Sequence, residues 1–219
     1  MLALEEFVQS IISHSQAKNT AIKKALLAVD RAKFVSPELS SQTYDDYPLP
    51  IGFGQTISQP STVVFMLEQL NIKPGQKILE VGSGCGWVSA LLAFMVGDKG
   101  RVIGLEVIPE LVELARDNVQ KVIASSSYAE SEAISFKNLQ FVAGDGSRGY
   151  AQMSPYDRII VSAGATEIPQ KLLGQLKDGG RAVIPVGDPG QDMLVIERQG
   201  GEFKQTKYPG FVFVPLVSK

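Results

Sequence analysis

The sequence predicts an α/β protein: a mainly parallel sheet covered on both faces, with an antiparallel edge at its C-terminal end and a helical and loop segment ahead of it. Three observations carry this. From residue 77 to residue 176, apolar runs of strand length alternate with helix-length runs, the signature of βαβ units and a parallel sheet. The last two expected strands, residues 192–198 and 211–216, have no helix between them and share a turn at Gly200 and Gly201, which marks an antiparallel pair. At 219 residues, 44% hydrophobic and 20% charged, the chain suits one sizeable domain and is short for two enzymatic ones.

Leu4, Phe7, Val8, Ile11 and Ile12 repeat at helical spacing, and so do Ile22, Leu26 and Val29 behind a cap at Asn19 or Thr20. Residues 34–60 hold four prolines, two glycines and no sustained period. So long an irregular stretch in a compact domain signals function or disorder, and its Tyr44, Tyr47, Leu49, Ile51 and Phe53 argue for an ordered loop. A helix is expected over residues 61–70, then a turn at 73–76. Strands follow at 77–81, 101–105, 139–142 and 158–161, and helices at 87–96, 109–123 and 168–176. Pro109 suits the first turn of its helix, and Gly179–Gly180 reads as the stop of the last one. Residues 125–137 are polar and serine-rich, an exposed loop. One domain over 1–219 results, with N-terminal helices and a loop over 1–60 and a sheet core over 61–219.

The net charge of −2 gives no electrostatic reason to expect nucleic acid, whose phosphates need Lys- and Arg-rich surfaces. The longest apolar run, residues 90–96, is too short to span a bilayer, and no secretory signal precedes it. Cys85 is the one cysteine and His14 the one histidine. A lone thiol fits a reducing, cytoplasmic setting, and one histidine argues against a Ser-His-Asp triad or a histidine-rich metal site; no metal is expected. His14 falls on the polar face of the first helix, and Cys85 reads as a small filler in a tight loop. We expect a monomer.

Gly82-Ser83-Gly84-Cys85-Gly86 follows the first core strand and opens a helix, where open α/β sheets bind ligands. A glycine loop alone does not choose the ligand. The dinucleotide fingerprint requires glycine or alanine where Trp87 stands. Glu80, just before the loop, would repel a pyrophosphate but suits a ligand carrying an ammonium and a sulfonium. Glu106 ends the second strand, where a carboxylate can take both ribose hydroxyls. Asp145 ends the third, with Gly146 leaving room for an adenine ring. Three acids after three consecutive strands match S-adenosylmethionine better than a phosphate ligand, although each acid alone could be a helix cap or a solvated strand end.

The run Tyr47-Pro48-Leu49-Pro50-Ile51-Gly52-Phe53-Gly54-Gln55-Thr56-Ile57-Ser58-Gln59-Pro60 resembles the substrate segment of the protein-L-isoaspartate O-methyltransferase family, which other methyltransferases lack. Leu79 to Gly84, Gly144-Asp145-Gly146, Pro155-Tyr156-Asp157, residues 175–181, Ile184 to Gly187 and Phe213 to Leu216 extend the resemblance from about Val29 to Val217. It implies a Rossmann-like class I methyltransferase fold. It also implies transfer of a methyl group from S-adenosylmethionine to the free α-carboxylate of L-isoaspartyl residues in damaged proteins and peptides, leaving S-adenosylhomocysteine. The ester then closes to a succinimide that can reopen as aspartate. The implied active-site residue is Ser58. The implied cofactor contacts are Gln55, Thr56, Ile57, Glu80, Gly82, Ser83, Gly84, Glu106, Val107, Asp145 and Gly146; the substrate contacts are Pro50, Ile51, Gly52, Thr56 and Ser58. Ser83, Cys85 and Trp87 depart from the threonine, serine and tyrosine of many members. The first two keep the loop small, and Trp87 is expected to pack inward.

A carboxylate with a pKa near 4 is ionised at neutral pH, so this reaction needs alignment and dehydration rather than a strong base. Ser58 is expected to position the substrate carboxylate. Sequence logic alone favours a cap on the helix after Pro60, the family resemblance favours positioning, and the two roles can coexist. Three other readings remain at this stage: a methyltransferase for another substrate, a catalytically silent S-adenosylmethionine-binding adaptor, and a nicotinamide oxidoreductase.

Overall fold

A computed structural model describes residues 2–15, 17–125 and 135–217. The loop expected over 125–137 therefore lies largely outside the described residues. The chain runs α1 (Leu2–Ser15), α2 (Thr20–Ala28), β1 (Leu49–Gly52), β2 (Gln55–Ile57), α3 (Pro60–Leu70), β3 (Lys77–Val81), α4 (Trp87–Val96), β4 (Arg101–Glu106), α5 (Pro109–Ser125), β5 (Leu139–Ala143), β6 (Tyr156–Val161), α6 (Gln170–Leu173), β7 (Leu176–Val186), β8 (Gln191–Gln199) and β9 (Glu202–Phe211).

Seven strands form one sheet in the order β5-β4-β3-β6-β7-β8-β9. Strands β3 to β7 are mutually parallel, and β8 and β9 are antiparallel to their neighbours, as the fold class requires. The order reverses at β3, which pairs with β4 on one side and β6 on the other. The carboxyl ends of those strands define the crevice where such sheets bind ligands.

Period-two alternation sends each strand's residues to two cores. Ile78, Val102, Ile160, Val183, Met193 and Val195 join buried residues of α1 to α5. Leu79, Val81, Ile103, Leu105, Ile159, Val161, Ala182, Ile184, Leu194 and Ile196 join Leu172 and Leu173 of α6 on the other face. Helix α1 buries Phe7, Val8 and Ile11, with Leu4 and Ile12 partly buried against the same core. The Asn19 side chain caps α2 by accepting the Ala21 N–H at 3.0 Å. His14 stays exposed, its Nδ1 2.8 Å from the Ser10 carbonyl oxygen.

Three expectations are corrected. The irregular stretch 34–60 contains a 3-10 turn at Pro37–Gln42, preceded by another at Arg31–Lys33, and a two-stranded antiparallel hairpin, β1–β2, separate from the main sheet. Its strands have four and three residues, too few to set up a readable period. Its tip, Gly52-Phe53-Gly54, has φ values of 91°, 55° and 71°. The expected helix 168–176 shrinks to Gln170–Leu173, and β7 already begins at Leu176. Gly179, at φ 74°, lies inside that strand, where the pairing with β6 jumps from Tyr156↔Leu176 to Arg158↔Arg181. The glycine pair makes a bulge rather than a helix stop. Finally, the last strand is Glu202–Phe211, not 211–216. It is an edge strand exposed along most of its length, so its sequence carries polar residues and no core signature.

Candidate active site

At the carboxyl ends of β3 and β4, backbone hydrogen bonds shape the glycine loop. Gly82 N–H and Ser83 N–H both donate to the Leu105 carbonyl, at 2.8 and 3.2 Å, and Gly86 N–H donates to Ser83 O at 2.8 Å. Gly86 then precedes α4 at φ 89°. A Cβ there would sit 2.9 Å from Ala115 Cβ and 3.0 Å from Phe141 Cζ, so both conformation and space demand glycine.

The Glu106 carboxylate joins this loop to the next one. One oxygen accepts the Gly84 N–H at 2.9 Å; the other accepts Val107 N–H at 2.9 Å and Ile108 N–H at 3.1 Å. Glu106, Val107 and Ile108 line a cleft together with Gln55, Thr56, Val81, Gly82, Gly84, Leu105, Gly146, Ser162, Ala163 and residues 214–217. The hairpin leans over the loop: a Cβ on Gly84 would lie 3.2 Å from Ile51 Cδ1. The opposite wall is the C-terminal segment, which is bridged to the strand end after β6. Gly164 N–H donates to Val214 O and Leu216 N–H to Gly164 O, both at 2.8 Å.

Of the expected cofactor residues, Gln55, Thr56, Gly82, Gly84, Glu106, Val107 and Gly146 therefore share the cleft wall. Four do not. Ile57 is 3% exposed and belongs to the core beneath the hairpin. Ser83 is 5% exposed, and its Oγ is buried without a hydrogen-bond partner among the described residues.

Glu80 is 1% exposed, and its place is a correction. It shares the strand face of Ile78, toward α4, so it cannot present a carboxylate to a cation in the cleft. It accepts hydrogen bonds from Ser89 Oγ and, at 3.0 Å, from Ser162 Oγ. Burial pushes its pKa up to about 7 against the two serine hydrogen bonds, with a smaller upward contribution from Glu106. Since Ser162 lines the cleft, Glu80 reaches it only through that hydroxyl. Trp87 is 1% exposed and packs inward, as expected, so neither residue faces the cleft, and Glu80 offers no direct repulsion to a pyrophosphate there.

Asp145 is likewise engaged locally. It caps the turn Gly146–Arg148 by accepting Ser147 N–H at 2.9 Å and Ser147 O–H at 2.7 Å, and Arg148 Nε lies 3.6 Å from its other oxygen.

Among the expected substrate residues, Pro50 and Gly52 are exposed and Ile51 half-buried on β1, while Ser58 follows β2 directly. Thr56 lines the cleft and Ser58 does not. The alternative that Ser58 caps α3 is not realised. The cap position is Gln59, without a side-chain hydrogen bond, and Asp46 Oδ1 accepts the Ser61 N–H at 2.8 Å. Cys85 is 3% exposed, with burial pushing its thiol up to about 12, the behaviour of a filler rather than a nucleophile.

Sequence reasoning assigned no site role to Val81, Leu105, Ile108, Ser162, Ala163 or residues 214–217. The first three flank residues already singled out. The parity of β6 could have pointed to the residue after Val161, but the C-terminal wall is a long-range contact with no local signal.

Among the described residues, no cluster of three His, Cys, Asp or Glu side chains is placed to hold a metal ion, and no helix is long and apolar enough to cross a membrane.

The sequence profile of the protein-L-isoaspartate(D-aspartate) O-methyltransferase family matches residues 3–219. The chain is 40% identical to the protein-L-isoaspartate O-methyltransferase of Methanothrix thermoacetophila, covering 98% of this chain and 95% of that one. It is 42% identical to the protein of the same name from Methanopyrus kandleri, covering 99% and 92%. Its fold is similar to a crystal structure from Plasmodium falciparum described as a protein-L-isoaspartate O-methyltransferase in complex with S-adenosyl-L-homocysteine. There the TM-score is 0.84 at 24% identity, over 99% of each chain.

Proposed function

The chain belongs to the protein-L-isoaspartate(D-aspartate) O-methyltransferase family, and from that premise we propose how its cleft divides the work of methylating the α-carboxylate of L-isoaspartyl residues. When bound, S-adenosylmethionine supplies the methyl group, which the carboxylate oxygen takes by in-line displacement as the carbon–sulfur bond breaks and the sulfur keeps the electron pair. The residues present fit that group. Gly82 and Gly84 give the backbone close approach, and Gly146 lies in the wall after β5. The Glu106 carboxylate, fixed by three backbone N–H groups, stands where ribose hydroxyls can donate to it. Asp145 holds the turn that brings Gly146 into the cleft wall, beside the place for the adenine ring. Ser83 and Ile57 hold the shape of the loop and hairpin. Glu80 acts at one remove, by orienting Ser162.

The observation that carries this reading is that Gln55 and Thr56, from the substrate hairpin, line the same cleft as Gly82, Gly84 and Glu106. The cofactor loop and the substrate segment thus form one cavity. Pro50, Ile51 and Gly52 would meet the peptide along the outer strand, and Ser58, one residue past β2, would donate its hydroxyl to the substrate carboxylate. No group has to remove a proton, because the nucleophile is already an anion at neutral pH. What the hairpin supplies is orientation and exclusion of water.

Titration calorimetry tests the cofactor half of the proposal. Saturable binding of S-adenosylhomocysteine with no heat from NADH is the expected result; the reverse would assign the cleft to a dinucleotide. We further propose that the whole chain works as one catalytic domain, as a cytoplasmic monomer without a nucleic-acid partner. The net charge of −2 and the single buried cysteine support this.

A further inference from the structure

Arg31 is 1% exposed, yet it has no carboxylate within 4.0 Å among the described residues. Burial brings its pKa down to about 10, which leaves it cationic at neutral pH. Its partners are backbone carbonyls. Nη1 donates to Thr43 O at 2.5 Å, and Nη2 donates to Tyr47 O at 3.1 Å and to Ser58 O at 3.3 Å. Tyr47 lies just before β1 and Ser58 just after β2, so one guanidinium nitrogen ties both feet of the hairpin. Its Cζ stands 5.5 Å from the centroid of the Trp87 ring, within reach of a cation–π interaction. Trp87 opens α4 directly after the glycine loop and donates from Nε1 to Val29 O at 3.2 Å.

Asp46 and Asp45 act on Arg31 only at a distance and do not offset the cost of its burial; burying a cation without a directly paired carboxylate is unfavourable, and an apolar side chain of similar volume commonly gives equal or better stability. Packing alone therefore does not account for arginine at this position. A planar group that donates to three converging carbonyls from its edge and stacks an aromatic ring on its face does.

We propose that Arg31 is a positioning residue for methyl transfer. It locks the Ser58 backbone and the substrate hairpin at a fixed distance from the loop that holds the cofactor. This rests on the reading of the hairpin and Ser58 as the substrate side of the cleft. Because Arg31 acts on the hairpin, its loss should disturb the peptide far more than the cofactor.

The test uses the full chain with Arg31→Met, Arg31→Lys, Ser58→Ala and the double variant Arg31→Met/Ser58→Ala. The readouts are KM and kcat for an isoaspartyl peptide and the Kd for S-adenosylhomocysteine. Arg31→Met is expected to lower kcat/KM for the peptide by roughly tenfold to a hundredfold, the scale of a small misplacement of reacting groups. The cofactor Kd should stay within about twofold, and the double variant should be little worse than Ser58→Ala, since coupled residues are not additive. Arg31→Lys, which keeps the charge but loses the fork, should fall between wild type and Arg31→Met. It serves as the test on its own if the methionine variant does not fold: the inference then predicts a lowered peptide kcat/KM at an unchanged cofactor Kd.

Unchanged peptide kinetics in a folded Arg31 variant would overturn the inference. So would equal losses in peptide and cofactor binding, or full additivity with Ser58→Ala. If Ser58→Ala is itself without effect, the reading of the hairpin fails. If Ser58→Ala costs turnover and the Arg31 variants do not, only the positioning role fails.

Discussion

Glu106 and Gly84 are joined by a 2.9 Å hydrogen bond from the backbone N–H to the carboxylate, which ties the loop after β3 to the loop after β4. The second Glu106 oxygen is held by Val107 and Ile108. Glu106→Ala removes the proposed ribose acceptor and leaves three amides without their partner. Charge-assisted hydrogen bonds contribute about 1.5–3 kcal/mol each. The variant should bind S-adenosylhomocysteine roughly tenfold to a hundredfold more weakly and melt at a lower temperature. An unchanged Kd by calorimetry would remove Glu106 from the cofactor site.

Ser58→Ala should cut turnover on an isoaspartyl peptide by roughly a hundredfold, the cost of losing one aligned donor, while the Kd for S-adenosylhomocysteine stays within about twofold. The capping hydrogen bond that would have confounded this variant comes from Asp46, with Gln59 at the cap position, so its melting temperature should barely move. Parallel losses in turnover and cofactor binding would point to a disrupted cleft instead.

The buried Glu80 predicts a pH dependence whose sign is fixed. Its folded pKa is raised from 4.5 to about 7, so between those values the folded state holds a proton that the unfolded state releases. Its contribution to stability is full below 4.5 and is lost as pH rises through about 7. The size is at most about 3 kcal/mol. Denaturant melts of the ligand-free protein should show Glu80→Gln gaining on wild type between pH 5 and pH 8. A constant difference across that range would mean that Glu80 is ionised throughout.

Gly86→Ala should destabilise the fold by roughly 2–4 kcal/mol, the sum of a left-handed backbone penalty and overpacking, because its Cβ would meet Ala115 and Phe141. Equilibrium unfolding gives the value, and a variant within about 0.5 kcal/mol of wild type would show that the loop has another way to relax.

What could be read from the sequence follows from range. Strand β3 and helix α4 are apolar runs bounded by the turn at 73–76 and by the glycine loop, and they stand at the residues the sequence predicts, 77–81 and 87–96. The hairpin is too short for a period; its irregular length and apolar residues marked an ordered loop, and only the family motif gave that loop a substrate role. Edge strand β9 is polar because solvent covers it, whereas the apolar residues after it, which read as a strand, are apolar because they wall the cleft. Glu80 was placed correctly along the chain but on the wrong side. One step of strand parity separates a ligand-facing acid from one buried under α4. Arg31 carried no signal, since its partners are carbonyls as far away as Ser58, and carbonyls leave no trace in a sequence.

The account stands or falls on substrate choice. Two peptides identical except for an aspartyl or isoaspartyl linkage, incubated with the enzyme and methyl-labelled S-adenosylmethionine, decide it. Base-labile label on the isoaspartyl peptide alone is the predicted result. Equal label on both peptides, or none on either, would contradict it.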